Sequence, residues 1–218
     1  MNRNDRITRK VCEVMHEKEP GYRAASNIDF LLFIVGLVLV LLALRAFVLE
    51  PVKVDGPSMM NTLQDGERCV VEKVSYWFTK PKAGDVVIIH FPEYGNTAFV
   101  KRVVATAGQT VEVRSVQETD PDTGTAKLVY RVFVDGVALD ETAYSETMLL
   151  DKGWTYIPVR CEGSNGGVYT VPEGCVFVMG DHRTNSKDSR DVGAIPLSDV
   201  VGRVHGVMYP FNKARGIR

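Results

Sequence analysis

The chain has 218 residues and is almost neutral, with 26 Lys and Arg against 27 Asp and Glu. That length accommodates one ordinary domain plus an appendage, and the even charge excludes the basic excess or stripe of a nucleic-acid binder. Its four scattered cysteines, Cys12, Cys69, Cys161 and Cys175, form no C-x-x-C or Cys/His cluster, so no disulfide scaffold, metal site or cofactor is expected.

The first predicted element is apolar all round. Phe30 to Leu44 carries no charge, and Ala46 to Leu49 extends the run past Arg45. About 20 residues at ~1.5 Å each span a ~30 Å hydrocarbon core. Arg45 stands about one turn from the far end, where its stem can snorkel to the interface. A buried core helix is the alternative, but all-round apolarity at this length favours a span. A cleaved leader fits less well, because Glu50-Pro51 follows where an A-x-A site is needed. Arg3, Arg6, Arg9, Lys10, Lys18 and Arg23 precede the run, whereas residues 50–69 hold only Lys53 and Arg68. That asymmetry predicts a cytoplasmic tail over 1–27, a transmembrane helix over 28–49 and an external domain over 50–218.

The external part reads as mainly β and antiparallel. "RCVVEKV", "DVVIIHF", "FVKRVVA", "TVEVRSV", "LVYRVFV" and "CVFVMG" are short, β-branched or aromatic, and bounded by turn residues. Asp135-Gly136 in "VFVDGVAL" is a hairpin signal. No amphipathic helix follows the anchor, which argues against βαβ units. An irregular insertion is predicted around 115–174. Its Gly-rich "CEGSNGG" lacks the Lys-Ser/Thr of a P-loop. Cys161 and Cys175 flank that piece, and the favoured reading leaves them reduced. Tyr76, Trp77 and Phe78, with Lys80 and Lys82 nearby, suit a lipid–water interface. The competing reading has those rings capping the core of the sheet.

Ser58 follows a Gly56-Pro57 bend and precedes Met59 and Met60, large residues that need something to bury against. A nucleophilic serine also needs a base. His16 lies on the cytoplasmic side, His90 and His205 belong to strands, and Asp181-His182 are adjacent, which rarely makes a productive pair. Lysine is the better candidate. In "AFVKRVVATAG", Lys101 and Arg102 interrupt a strand apolar on both faces. Alternation does not say which is buried, but arginine cannot give up its proton at useful pH. Lys101 could, because burial lowers an amine's pKa. In "MGDHRTNSKDSRDVG", Asp188 and Arg190 can form a charge pair that fixes the loop, and Ser186 can orient a nearby amine.

Together "GPSMMNTL", "GDVVIIHF", "FVKRVVATAG" and "GDHRTNSKDSR" resemble, in order and spacing, the boxes of bacterial type I signal peptidases. The likeness runs from Phe30 to about Val204 and is closest to the Gram-positive branch with its single anchor. It implies a signal-peptidase-like β-fold in the bacterial cell membrane, near the secretion channel, acting on the signal peptides of exported preproteins. It implies Ser58 as nucleophile, Lys101 as general base and Ser186 as the group orienting the lysine. Asp188 and Arg190 would support the loop beside Gly180 and Asp181, Met59 would sit near substrate, and the Ser58 N–H would serve the oxyanion. Gly56 cannot add the side-chain donor that a serine gives some relatives. Asn61, Ala105, Ala107 and Gln109 depart from the family's usual residues in loops around the dyad. Two rivals are a soluble repressor-type Ser-Lys protease, which the anchor disfavours, and an inactive tethered β-domain that binds signal peptides or a partner.

Overall fold

The structure, a computed structural model, describes residues 10, 19–47, 49–95, 97–119, 123–145, 148–149, 161–163, 165 and 167–217. The chain divides into two units, Met1–Phe47 and Val48–Arg218. The first contains the helix Glu19–Phe47, whose described side chains, Asn27 to Ala43, are all exposed. Over the described residues alone, no helix is long and apolar enough to cross a membrane. The side chains of Leu44 to Leu49, the end of the apolar run, lie outside the described ones.

The second unit is antiparallel β. It begins with β1 (Leu49–Lys53) and β2 (Arg68–Glu72), followed by β3 (Val86–His90) and β4 (Ala98–Thr106). A smaller group follows: β5 (Thr110–Thr119), β6 (Ala126–Val134), β7 (Val137–Ala138), β8 (Met148–Leu149) and β9 (Val168–Thr170). The chain then returns through β10 (Cys175–Met179), β11 (Ile195–Pro196), β12 (Val200–Tyr209) and β13 (Arg215–Gly216). The large sheet has the order β1-β2-β12-β3-β4-β10-β11 with β13 on β12; the small one is β7-β6-β5-β9 with β8 on β6.

Local chemistry explains the placement. Pro51 cannot donate to a ladder and sits in β1, an edge strand. The unbroken apolar run of β3 lies between β12 and β4 and alternates by face: Val86 and Ile88 join one core cluster, Val87 and Ile89 another. Gly202 and Gly206 let β12 pass close to its neighbours, since a Cβ would meet Glu72 O at 2.5 Å and Arg215 O at 2.4 Å. Asp135 and Gly136 both have positive φ in the two-residue β6–β7 hairpin, the geometry that an Asp-Gly step favours.

Residues 115–174, where an irregular insertion is expected, include the end of β5 and all of β6 to β9. β5 and β6 stay in register from Val111–Val134 to Thr119–Ala126, with Val111, Val113, Val129, Val132 and Phe133 buried. Residues 150–160 fall outside the described ones. Among the departures, Ala105 is buried in the core between the sheets. Gln109 accepts from Thr106 N at 2.9 Å and donates to Asp135 at 3.0 Å, tying two turns together. Cys69, Cys161 and Cys175 are free thiols.

The aromatic triplet divides. Ser75–Phe78 forms one helical turn in which Tyr76 packs on the core and donates to Asp85 Oδ2 at 3.0 Å. Trp77 and Phe78 are 63% and 82% exposed. Tyr76 is thus half-buried against the core, and its two neighbours remain for an interface.

Candidate active site

The Ser58 turn is fixed from below. Gly56 adopts φ +96°, a conformation that side chains resist, and its N–H donates to Asp65 Oδ1 at 3.0 Å. Two tight turns follow, Thr62 N to Met59 O at 2.8 Å and Leu63 N to Met59 O at 2.6 Å. Met59 and Leu63 are buried beneath them with Val54, Val71 and Val204. Met59 therefore finds its burial, whereas Met60 stays exposed.

Lys101 and Arg102 are both buried, and they point to different partners. Lys101, 2% exposed, places Nζ 2.8 Å from Ser58 Oγ. Burial is the main influence on its amine, opposed by Asp188 and reinforced by Arg190, and its pKa falls to about 8. Arg102 makes a two-pronged pair with Asp181, Nε to Oδ1 at 2.9 Å and NH2 to Oδ2 at 2.8 Å. Gly84 O and Thr62 Oγ1 take further guanidinium hydrogens, and Thr62 Oγ1 donates to Asp181.

The loop after β10 closes over this pair. Arg190 grips Asp188 with Nε to Oδ1 and NH2 to Oδ2, both 2.8 Å, with both residues buried. Burial alone would raise the Asp188 carboxyl. The charge and hydrogen bonds of Arg190, with Gly180 N–H, overcome that and hold it below the usual carboxylate range. Gly180 N donates to Asp188 Oδ2 at 3.0 Å. A Cβ on Gly180 would lie 2.2 Å from Ser186 Oγ and 2.6 Å from Ser58 O, so only glycine fits.

One expectation needs correction. Ser186, expected to orient the lysine, is buried beside Gly180, and among the described residues its Oγ has no hydrogen-bond partner; Lys101 Nζ is held by Ser58 instead. Met59, expected near substrate, is almost wholly buried and contributes to the lining of the cleft beside Ser58. His182 contacts the backbone of the serine turn. Its N–H donates to Ser58 O at 3.0 Å and its ring Nδ1 lies 3.1 Å from Pro57 O. His90 turns to Thr97 O at 3.3 Å. A cleft of about 280 Å³ opens beside Ser58, walled by Val52, Val54, Ile88, Ala98 and Val100.

The arrangement offers a hydroxyl bonded to a desolvated amine beside a cleft with an apolar wall and Lys53, Asp55 and Thr97 also in its lining, which is a means of nucleophilic attack. The signal peptidase family, peptidase S26, matches residues 27–209. The chain belongs to that family.

Among individual signal peptidases, "Signal peptidase I T" of Bacillus subtilis is 37% identical across 91% of this chain and 94% of its own. "Probable signal peptidase I-1" of Synechocystis sp. is 39% identical across 84% and 82%. A crystal structure of a signal peptidase I from Enterococcus faecalis is similar at 28% identity over 57% of this chain and 97% of that one, with a TM-score of 0.38. The β architecture of this signal peptidase rests on its own strands.

Arg102–Asp181 is the feature that sequence reasoning missed. The sequence carries half of its signal: an arginine in an apolar strand needs a carboxylate if it is buried, but nothing in the chain says which one.

Proposed function

We propose that this chain removes signal peptides from exported preproteins, as a membrane-bound serine endopeptidase with Ser58 as nucleophile and Lys101 as general base. One observation carries the proposal: Lys101 Nζ lies 2.8 Å from Ser58 Oγ, in surroundings that lower its pKa to about 8. At neutral pH on the order of a tenth of such amines are neutral, enough to accept the hydroxyl proton. The Ser58 Oγ attacks the scissile carbonyl and the C–N bond breaks as Lys101 returns the proton to the leaving amine. Water then cleaves the ester, with Lys101 again as base.

Among the described residues no group accepts the backbone N–H of Ser58, which leaves it for the oxyanion. One such donor contributes ~3 kcal/mol to the barrier. Gly56 has room for a side chain, yet its φ of +96° would strain a serine there. The cleft beside Ser58 suits an extended segment whose alternate side chains meet an apolar wall, and only small ones would fit close to the backbone. The names of the similar proteins support the substrate class.

Residues 28–49 serve as the anchor in this reading, supported by the uncharged run and the Lys/Arg asymmetry. Trp77 and Phe78, exposed beside Lys80 and Lys82, then rest at the outer surface of the bacterial membrane, close to the secretion channel.

A cleavage assay in lipid on a preprotein with an Ala-x-Ala site tests the proposal, with the cut located by mass spectrometry. Cleavage after the second alanine by wild type, lost in Ser58→Ala and Lys101→Ala, is expected. A wild type that binds the precursor and leaves it intact would establish a non-catalytic binding domain instead.

A further inference from the structure

We infer that Tyr144 and Glu141, which no motif singles out, are positioning residues that hold the Arg102–Asp181 pair and, through it, Ser58. The inference rests on the proposed function.

Both residues belong to a short turn after β7, closed by Tyr144 N to Glu141 O at 3.1 Å and Ser145 N to Glu141 O at 2.8 Å. The turn makes two contacts with the active-site framework. The Tyr144 ring lies under the guanidinium of Arg102, with Cζ 3.9 Å from the ring centroid. Arg102's edges are occupied by Asp181, Gly84 O and Thr62, so the ring covers a flat face that water would otherwise reach. Glu141, buried, forms an ion pair with Arg183 at 2.5 Å, two residues beyond Asp181. Arg183 is itself buried, and its Cζ is 6.0 Å from the same ring.

Asp181 and its neighbour lead directly to the nucleophile. Asn61 donates to Asp181 O at 3.3 Å, Asp181 N points to Met59 Sδ at 3.4 Å, and His182 N donates to Ser58 O at 3.0 Å. The turn thus braces the far side of the framework whose near side fixes the serine. Loss of the ring admits water to the Arg102–Asp181 pair and loosens the Ser58 turn. Displacing a reacting atom by ~1 Å can cost ~100-fold in rate.

The test compares full-length Tyr144→Ala, Tyr144→Phe and Glu141→Gln with wild type. Preprotein cleavage is normalised to the number of serines that a serine-acylating reagent can label, so that unfolded molecules do not count. Tyr144→Ala and Glu141→Gln should lower kcat per labelled site roughly tenfold or more with KM nearly unchanged. Tyr144→Phe should restore the wild-type value, because the ring is what covers Arg102. Wild-type kcat per site in Tyr144→Ala, or no rescue by phenylalanine, overturns the inference. A wild type that does not cleave defeats the proposed function alone, since the rate of Ser58 labelling still reports how the serine is held.

Discussion

Lys101 Nζ and Ser58 Oγ stand 2.8 Å apart although 43 residues separate them in the chain. Nearly complete burial on β4 lowers the amine's pKa to about 8, so the rate should follow its deprotonation. The acid limb of kcat/KM is expected to rise through about pH 8. A profile flat between about pH 6 and 10 would remove Lys101 as the base.

The same amine should cost stability. Its pKa is lowered from 10.5 to about 8 on folding, so the unfolded chain binds the extra proton between those values. Stability therefore rises with pH across that window and is lowest below it. The penalty is roughly 3 kcal/mol at neutral pH. Lys101→Met is expected to abolish cleavage yet raise the melting temperature at neutral pH, an advantage that fades above about pH 10. Equal or lower stability at neutral pH would mean that the amine is better solvated than its burial implies.

Arg190→Met should be among the most damaging changes away from the dyad. It leaves Asp188 buried without its main partner, and removing one member of such a pair costs roughly 3–5 kcal/mol. Urea denaturation measures the loss. A change under about 1 kcal/mol would show that Gly180 N–H and Lys101 satisfy the carboxylate without the arginine.

Gly180→Ala should reduce cleavage strongly while KM changes less. The new methyl would have to push Ser186 Oγ or Ser58 O out of contact distances of 2.2 and 2.6 Å. A displacement of that kind costs on the order of 100-fold in rate. Wild-type turnover in the alanine variant would mean that the loop can move aside without disturbing the serine.

Trp77 should report on lipid. In a Trp154→Phe background it is the single tryptophan, and its exposure leaves it free to meet a bilayer. Lipids brominated near the headgroup should quench its fluorescence in proteoliposomes. No quenching at any bromine depth would place the aromatic turn in water.

The strands most legible in the sequence were those with dense β-branched runs, such as β3 and β4. β12 was harder to read because Gly202 and Gly206 interrupt its pattern, and the reason for those glycines is contact with Glu72 and Arg215. Lys101 could be chosen over Arg102 because only one of them can act as a base. The partner of Arg102 could not be read in the same way, since Asp181 lies 79 residues further on. The order of the motifs carried the expectation for Ser186, but the geometry that leaves its hydroxyl without a partner arises only when Gly180 packs against it. Tyr144 sits in a polar run, "DETAYSET", that has no periodicity to reveal its stacking.

Arg215 draws the far end of the chain back to the beginning of the site. It grips Glu67 with two bonds of 2.8 Å and donates to Thr62 O at 2.7 Å, across 153 residues. The segment carrying the serine is therefore made well before the residue that ties it down. A ribosome will have exposed Ser58 well before it has supplied Asp181, Asp188 or Arg215. A chain that has not yet received those residues holds the hydroxyl without the groups that frame it.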